Sequence, residues 1–320
     1  SDIALDSPVT ISKSDFTIDG NNHTIAVSDA EYWNQYKIPG AKSGLGKVNM
    51  ISVNGSNFTL KDVTLDGKDC RGVSLCTTSG GKDVLYQNVI YTGRGSGHYY
   101  GEAAGLVTFD GCKFDIHGYA VHFGGESSVD DDVVIKNCEL NGWSSFGACK
   151  SVTISDSDFG GANDEGKNGW LAVLRPYCPT TITNCTFSDI YLHEAETGYE
   201  CIGLGTGAAT TVTLNGCKVV NDSKQETGDA IYSIVRDNGF NEDDLNAQQQ
   251  SVFAFDATGN ATDGFTAGTF YAINSANIKA APSYVVSAVE GKDNIWTIDG
   301  PYEARIGQVY FTKLQDAVDA

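Results

Sequence analysis

Val134-Ile135-Lys136-Asn137-Cys138-Glu139-Leu140 and Ile182-Thr183-Asn184-Cys185-Thr186-Phe187 are two copies of one phrase. Each runs apolar, polar, Asn, Cys, polar, apolar. Weaker copies centre on Leu60, Tyr86, Phe109, Ile154 and Leu214, and the seven recur at intervals of 19 to 32 residues. Short strand-like phrases at a spacing of about 20–30 residues mark a solenoid, in which each coil buries its apolar side only against its neighbours.

Alternation within the phrase sorts its columns. Leu60, Tyr86, Phe109, Ile135, Ile154, Ile182 and Leu214 face inward. Two residues on stand Asp62, Asn88, Gly111, Asn137, Asp156, Asn184 and Gly216, which all tolerate a left-handed backbone and so mark the corner of the coil. Val63, Val89, Cys112, Cys138, Ser157, Cys185 and Cys217 are small and inward, and Leu65, Tyr91, Phe114, Leu140, Phe159, Phe187 and Val219 close the phrase, again inward. The columns between them are polar. In this register Asp110 meets Lys136 and Lys113 meets Glu139 on adjacent rungs, as solvated cross-strand pairs.

The sequence therefore predicts an all-β right-handed parallel β-helix with irregular loops and a short C-terminal helix. Residues 1–300 form the solenoid, less regular after 221, and Phe16-Thr17-Ile18-Asp19-Gly20-Asn21-Asn22-His23-Thr24-Ile25 joins it as an early coil. Residues 29–47 interrupt the pattern as an inserted loop, and residues 237–250 form an acidic, Gln-rich surface excursion. Val252-Phe253-Ala254-Phe255 and Gly268-Thr269-Phe270 supply further coils. Residues 301–320 read as a strand plus amphipathic helix, with Leu314, Ala317 and Val318 on one face, and are expected to start a following module.

A net charge of −20 repels nucleic acid and anionic lipid, so neither is an expected partner. It would also repel a polyanionic sugar chain unless calcium bridged the charges. No apolar run approaches the ~18–20 residues of a membrane span, so no membrane insertion is expected. The nine cysteines contain no C-x-x-C. Cys112, Cys138, Cys185 and Cys217 share one inward column, where rungs about 4.8 Å apart suit either a disulfide or buried free thiols. Cys70 and Cys76 are a second possible pair.

The phrase I-x-N-C-x-F at this period resembles the pectate-lyase-like right-handed parallel β-helix superfamily. Residues 303–320, with Ala304-Arg305-Ile306-Gly307 ahead of a helix, resemble the junction between tandem β-helix modules of bacterial cell-surface proteins. The resemblance implies an extracellular or bacterial cell-surface location, within a longer multidomain chain, as a monomer. Of the motifs by which polygalacturonases resemble one another, only isolated fragments occur, Asp130-Asp131 and Gly97-His98. The Trp- and Arg-bearing signature of pectin methylesterases is missing.

Chemistry is expected on a second strand of each coil and the loops that enter it. The second strands are residues 73–75, 121–123, 146–148, 171–173, 202–204 and 231–233. Their outward middle residues are Ser74, His122, Gly147, Ala172, Gly203 and Tyr232, three of them forming a small-residue floor. The loops are residues 92–105, 141–145, 160–169, 193–200 and 221–229. They carry Tyr99, Tyr100, Trp143 and Tyr199, with Trp170 beside them, and the carboxylates Glu102, Asp164, Glu165, Glu194, Glu196 and Glu200. Aromatic rings stack on the apolar faces of sugars while carboxylates accept hydroxyls. Tyr99, Tyr100, Trp143, Trp170, Tyr199 and Tyr232 are thus the candidate binding residues for a carbohydrate or host-surface glycan.

If the chain is an enzyme, the catalytic candidates are Glu102, Asp164, Glu165, Glu200, His122 and Arg175, in a lyase or glycoside hydrolase using carboxylates. A rim histidine and a structural arginine are the plainer readings of the last two. Arg94 in its Gly-rich stretch is a further anion contact or only a flexible turn. Asp130-Asp131-Asp132 and Glu242-Asp243-Asp244 offer a weak Ca2+ reading, against solvated charge runs, and no cofactor is otherwise expected. Three functions follow in order: a non-catalytic glycan-binding or adhesive module, a carbohydrate-active enzyme, and a structural spacer.

Overall fold

Three rows of parallel strands wrap the chain into a solenoid, seen in a computed structural model that describes residues 1–37, 46–103, 105–124, 130–147, 149–160, 172–176, 178–188, 200–202, 211–215, 218–220, 231–233, 252–254, 269–271, 275, 280–291 and 295–320. The repeated phrase supplies two of the rows. In Phe58–Asp66 the half around Leu60 pairs with Val84–Gly93 on one side of the coil, and the half around Leu65 pairs with it on the next side. The first row continues through Leu106–Asp110, Asp132–Lys136, Ser151–Ser155, Thr180–Thr183 and Thr211–Asn215.

The bend between the halves is the predicted corner. Asp62, Asn88, Gly111, Asn137, Asp156 and Asn184 all have φ between 49° and 66°. That conformation costs most L-residues about 1–2 kcal/mol, and Asn, Asp and Gly least. Gly111 has a second reason, because a Cβ there would lie 2.5 Å from Asn88 Oδ1. The corner side chains also bond along the stack: Asn88 Nδ2 donates to Asp62 Oδ1 at 2.9 Å, Asn137 Nδ2 to Asp110 Oδ1 at 3.0 Å, and Asn184 Nδ2 to Asp156 Oδ1 at 3.2 Å. The Asn137 bond, followed by Lys136, holds the Asp110 carboxyl below its ordinary value. Asn137→Ala is expected to destabilise the fold by about 1–2 kcal/mol and Asn137→Gly by less, because only alanine resists the left-handed corner. Urea midpoints with an unchanged slope would check this, and an alanine variant as stable as the parent would refute it.

The inward columns are buried from Leu60, Tyr86, Phe109, Ile135, Ile154 and Ile182 to Leu65, Tyr91, Phe114, Leu140 and Phe159, while Ile18 and Ile25 of the first coil are partly buried. Neighbouring rungs stack in register: Tyr86 on Phe109 at 5.0 Å, and Tyr91 on Phe114 at 4.3 Å. Both predicted cross-rung charge pairs form, Lys136 to Asp110 at 3.1 Å and Lys113 to Glu139 at 2.9 Å. Cys70, Cys76, Cys112, Cys138, Cys149, Cys178 and Cys185 are buried free thiols. The Cys201 and Cys217 side chains lie outside the described residues.

The third row holds the strands on which chemistry is expected. It runs through Val9–Ile11, Val48–Val53, Val73–Thr78, Ser96–Gly101, the end of Lys113–Phe123, the end of Glu139–Phe146, Ala172–Pro176, Glu200–Ile202 and Ile231–Ser233. Several expectations are corrected here. Residues 92–105 are not a loop but end one strand and contain another, Ser96–Gly101. Their glycines read as a turn in the sequence, yet they serve close packing: a Cβ on Gly95 would lie 1.9 Å from the Val73 carbonyl oxygen. Residues 141–145 likewise run within Glu139–Phe146.

Ser74 does not face solvent. It is fully buried in register with the buried Ser96, on the strand whose Cys76 and Thr78 reach the hydroxyl of core residue Tyr86. The small-residue floor is also not formed as expected, because the strand is Ala172–Pro176 and sets Arg175, not Ala172, beside Ser145. Gly203 lies outside the described residues. The inserted stretch is not all loop, since Glu31–Asn34 is helical and buries Trp33, whose Nε1 donates to the Leu5 carbonyl at 2.5 Å.

Beyond residue 220 the predicted coils Val252–Ala254 and Thr269–Tyr271 join the parallel rows. Parallel winding then stops, because Thr269–Tyr271 pairs antiparallel with Ile295–Asp299, and that strand with Val285–Ala288. The predicted terminal strand is a hairpin of Ala304–Ile306 and Val309–Phe311, followed by the helix Leu314–Val318. Of its predicted apolar face only Ala317 is buried; Leu314 and Val318 are exposed. Residues 237–250 lie outside the described residues.

Candidate functional site

Two adjacent tyrosines in a regular strand must point to opposite faces. Tyr99 and Tyr100 do not, because Ser96–Gly101 carries a bulge. His98 pairs with Val121, but Gly101 pairs with Phe123, so three steps on one strand match two on its neighbour. Tyr100 absorbs the extra residue in the left-handed region at φ 58°. For a bulky side chain this is a strained conformation, of order 1 kcal/mol or more, and such outliers cluster at functional sites. Thr77 Oγ1 donates to the Tyr100 carbonyl at 3.2 Å and fastens the bulge to the strand beside it.

On the inner side, His98 is completely buried. It stacks on Phe123 at 4.9 Å and meets Phe109 edge-on, while its Nε2 accepts the Thr78 amide at 3.0 Å. Burial pushes its pKa down to about 3. On the outer side, Tyr99 lies against Gly46, where a Cβ would clash with its ring, and Tyr100 stays half exposed.

The two rings edge a cleft of about 550 Å³ on the outside of the third row. Thr10, Ser52 and Thr77 sit in register on three successive rungs and lay a line of hydroxyls along it. Ser79, bridged to Glu102 on the neighbouring strand, adds a hydroxyl beside a carboxylate, and Asn49 and Asn54 add carboxamides. Donors and acceptors thus line the floor with aromatic rings at its edge, an arrangement suited to the hydroxyls and flat apolar faces of a sugar chain.

The aromatic surface continues from the cleft. His122 stacks on Tyr99 at 4.9 Å and lies 4.6 Å from Tyr119, which meets Trp143 edge-on at 5.4 Å. Trp143 is 8% exposed, so it buttresses the cluster instead of offering a free face. Ser145 lies between His122 and Arg175 in strand register. Burial first, and the Arg175 charge after it, push the His122 pKa down to about 4 against the pull of a hydrogen bond to the Ser145 backbone. A histidine neutral at that depth is a poor general base at neutral pH.

Behind Glu102 lies a carboxyl that sequence reasoning did not single out from its run. Asp131 is fully buried; its Oδ2 accepts the Ala103 amide at 3.1 Å and its Oδ1 has no partner. Burial above all, with the charges of Asp130, Glu102 and Asp132, raises it to about 7. Asp132 turns elsewhere, to Ser151 at 2.6 Å and Lys150 at 3.0 Å, and Asp130 is exposed. The three carboxylates of the weak calcium reading therefore have separate surroundings. Glu242-Asp243-Asp244 lies outside the described residues.

Tyr99, Tyr100, Trp143, His122, Arg175 and Glu102 thus belong to one face of the solenoid. Glu200 and Tyr232 lie on further strands of the same row, with side chains outside the description. Asp164, Glu165, Trp170 and Tyr199 fall outside the described residues, as do Glu194 and Glu196. Arg94 sits at the turn before the bulged strand, its amide donating to the Lys68 carbonyl at 2.8 Å. The hydroxyl line was missed because Val48–Val53 falls inside a stretch with no copy of the phrase. The available signal was the pair Tyr99-Tyr100 itself, which strand alternation cannot place on one face without a bulge.

No family model matches this chain, and no curated protein sequence matches it.

Proposed function

We propose that this chain is a secreted or cell-surface β-solenoid module that binds a glycan along its third strand row without chemical turnover. The observation that carries the reading is the bulge that turns Tyr99 and Tyr100 out together over a cleft floored by hydroxyls and carboxamides. Tyr100 is strained and keeps half its surface open, so a sugar ring stacked on it would help offset that strain. The pectate-lyase-like resemblance supports the extracellular setting, with the chain as one module of a bacterial surface protein.

A glycan array read alongside reducing-sugar release tests this. Binding without release is expected. Tyr99→Ala or Tyr100→Gly should weaken it at least tenfold, the scale of losing one stacking platform. Tyr100→Gly should meanwhile leave the melting temperature unchanged or raise it, because glycine adopts φ 58° without strain. A large fall in melting temperature would show that Tyr100 serves the fold and not a ligand.

One observation favours a second reading, a glycoside hydrolase. A carboxyl raised to about 7 beside a second carboxylate, Asp131 behind Glu102, is the pattern of an acid and its partner. Against it, Asp131 is fully buried and tied to the Ala103 amide, so it has no path to a bound sugar. Sugar release abolished by Glu102→Gln with folding intact would establish the enzyme and overturn the binding module.

A further inference from the structure

The charge of the cleft selects among glycans. Among the described residues its lining includes one charged side chain, Glu102, and no Lys, Arg or His. No ion pair holds Glu102 among the described residues, so its carboxylate is available to a ligand. Asp130, with Asp132 that is itself paired to Lys150, acts with it on Asp131. Arg175, in a strand of the same row, pairs in register with Ser145, which pairs with His122, and does not line the cleft. The whole chain carries −20. A uronate or sialate entering this cleft meets the Glu102 carboxylate with no cation in the described lining to offset it, whereas an ammonium finds an acceptor that has no ion pair among the described residues, near the Tyr99 and Tyr100 rings.

We propose that the cleft takes an amino-sugar chain, with one free ammonium seated on Glu102 and the adjoining sugar rings against Tyr99 and Tyr100. The proposal rests on the glycan-binding reading and adds the chemical class of the ligand. The hydroxyl line of Thr10, Ser52 and Thr77 serves the ring hydroxyls that every hexose offers, so it contributes affinity without discrimination. Discrimination comes from the single carboxylate.

Calorimetric titration of the full chain with three probes decides it: glucosamine oligomers, their N-acetylated counterparts, and oligogalacturonate of the same length. Glucosamine oligomers are expected to bind about fivefold more tightly than the acetylated ones at low salt, the upper scale of a solvent-exposed ion pair. That advantage should vanish in Glu102→Gln and shrink as salt screens the pair. Oligogalacturonate should bind least. Equal affinity for free and acetylated oligomers would overturn the amine assignment while leaving glycan binding intact. Tighter binding of oligogalacturonate would do the same. If none of the three binds, both this inference and the glycan reading fall. If Glu102→Gln weakens all three probes equally, with its circular dichroism unchanged, Glu102 is a general hydroxyl acceptor and the selectivity claim is lost.

Discussion

Asp131→Asn is expected to make this protein more stable than the parent above pH 7, by on the order of 2–4 kcal/mol. An ionised carboxylate at position 131 is buried beneath the Ala103 amide with one oxygen unpartnered and three acidic neighbours. The folded state therefore keeps the proton up to about pH 7, whereas the unfolded chain gives it up near the ordinary carboxylate value. Between those limits the folded state binds more protons, so stability falls as pH rises and is lowest above pH 7. Asparagine mimics the protonated acid in shape, keeps an oxygen for the Ala103 amide, and cannot ionise. Urea unfolding at pH 5 and pH 8 would show the parent weakening between the two and the variant holding. Parallel losses in both would mean that Asp131 is ionised at little cost and that the cleft wall needs another account.

At the other end of the pH scale, His98→Gln is expected to flatten the acid limb of the stability curve. His98 stays neutral down to about pH 3 because it is enclosed by Phe109, Phe123 and Tyr86. The unfolded chain takes up a proton near pH 6.5. Below that point the unfolded state binds more protons, so stability is fully present above pH 6.5 and falls towards pH 3 by about 1 kcal/mol per pH unit. Glutamine preserves an acceptor for the Thr78 amide but loses the ring stacking, so the variant should be about 1–2 kcal/mol weaker at pH 7. The decisive reading is the slope between pH 6 and pH 4, shallower in the variant. His122, pushed down to about 4, contributes in the same direction and leaves part of the limb in place. An unchanged slope would mean that His98 is protonated inside the fold.

These two groups also mark how unevenly the site could be read from the chain. Glu102, Tyr99 and Tyr100 were recognised by residue type alone, since carboxylates and adjacent aromatics are conspicuous. Asp131 was visible only as the middle of an acidic run, because a solvated aspartate and a buried one are spelled alike. The hydroxyl line was invisible for a different reason. Thr10, Ser52 and Thr77 are far apart in sequence and unremarkable singly, and only strand register makes them a row. Gly93, Gly95 and Gly97 look like a loop in the sequence, because the same residue serves a loop and a tightly packed strand.

What the chain determined by itself is the coil. Apolar residues at every second position, with Asn, Asp or Gly at the bend, specify two strands and a left-handed corner locally, and identical rungs then stack because each exposes the same apolar side. Among the described residues the structure returns those columns, including both charge pairs between rungs. What only the tertiary structure decided is the third row: which strands it contains, that a bulge turns Tyr99 and Tyr100 out together, and that Asp131 is buried behind Glu102. The physical reason is that these features depend on pairing between coils and on desolvation by distant residues, and neither leaves a local mark in the sequence.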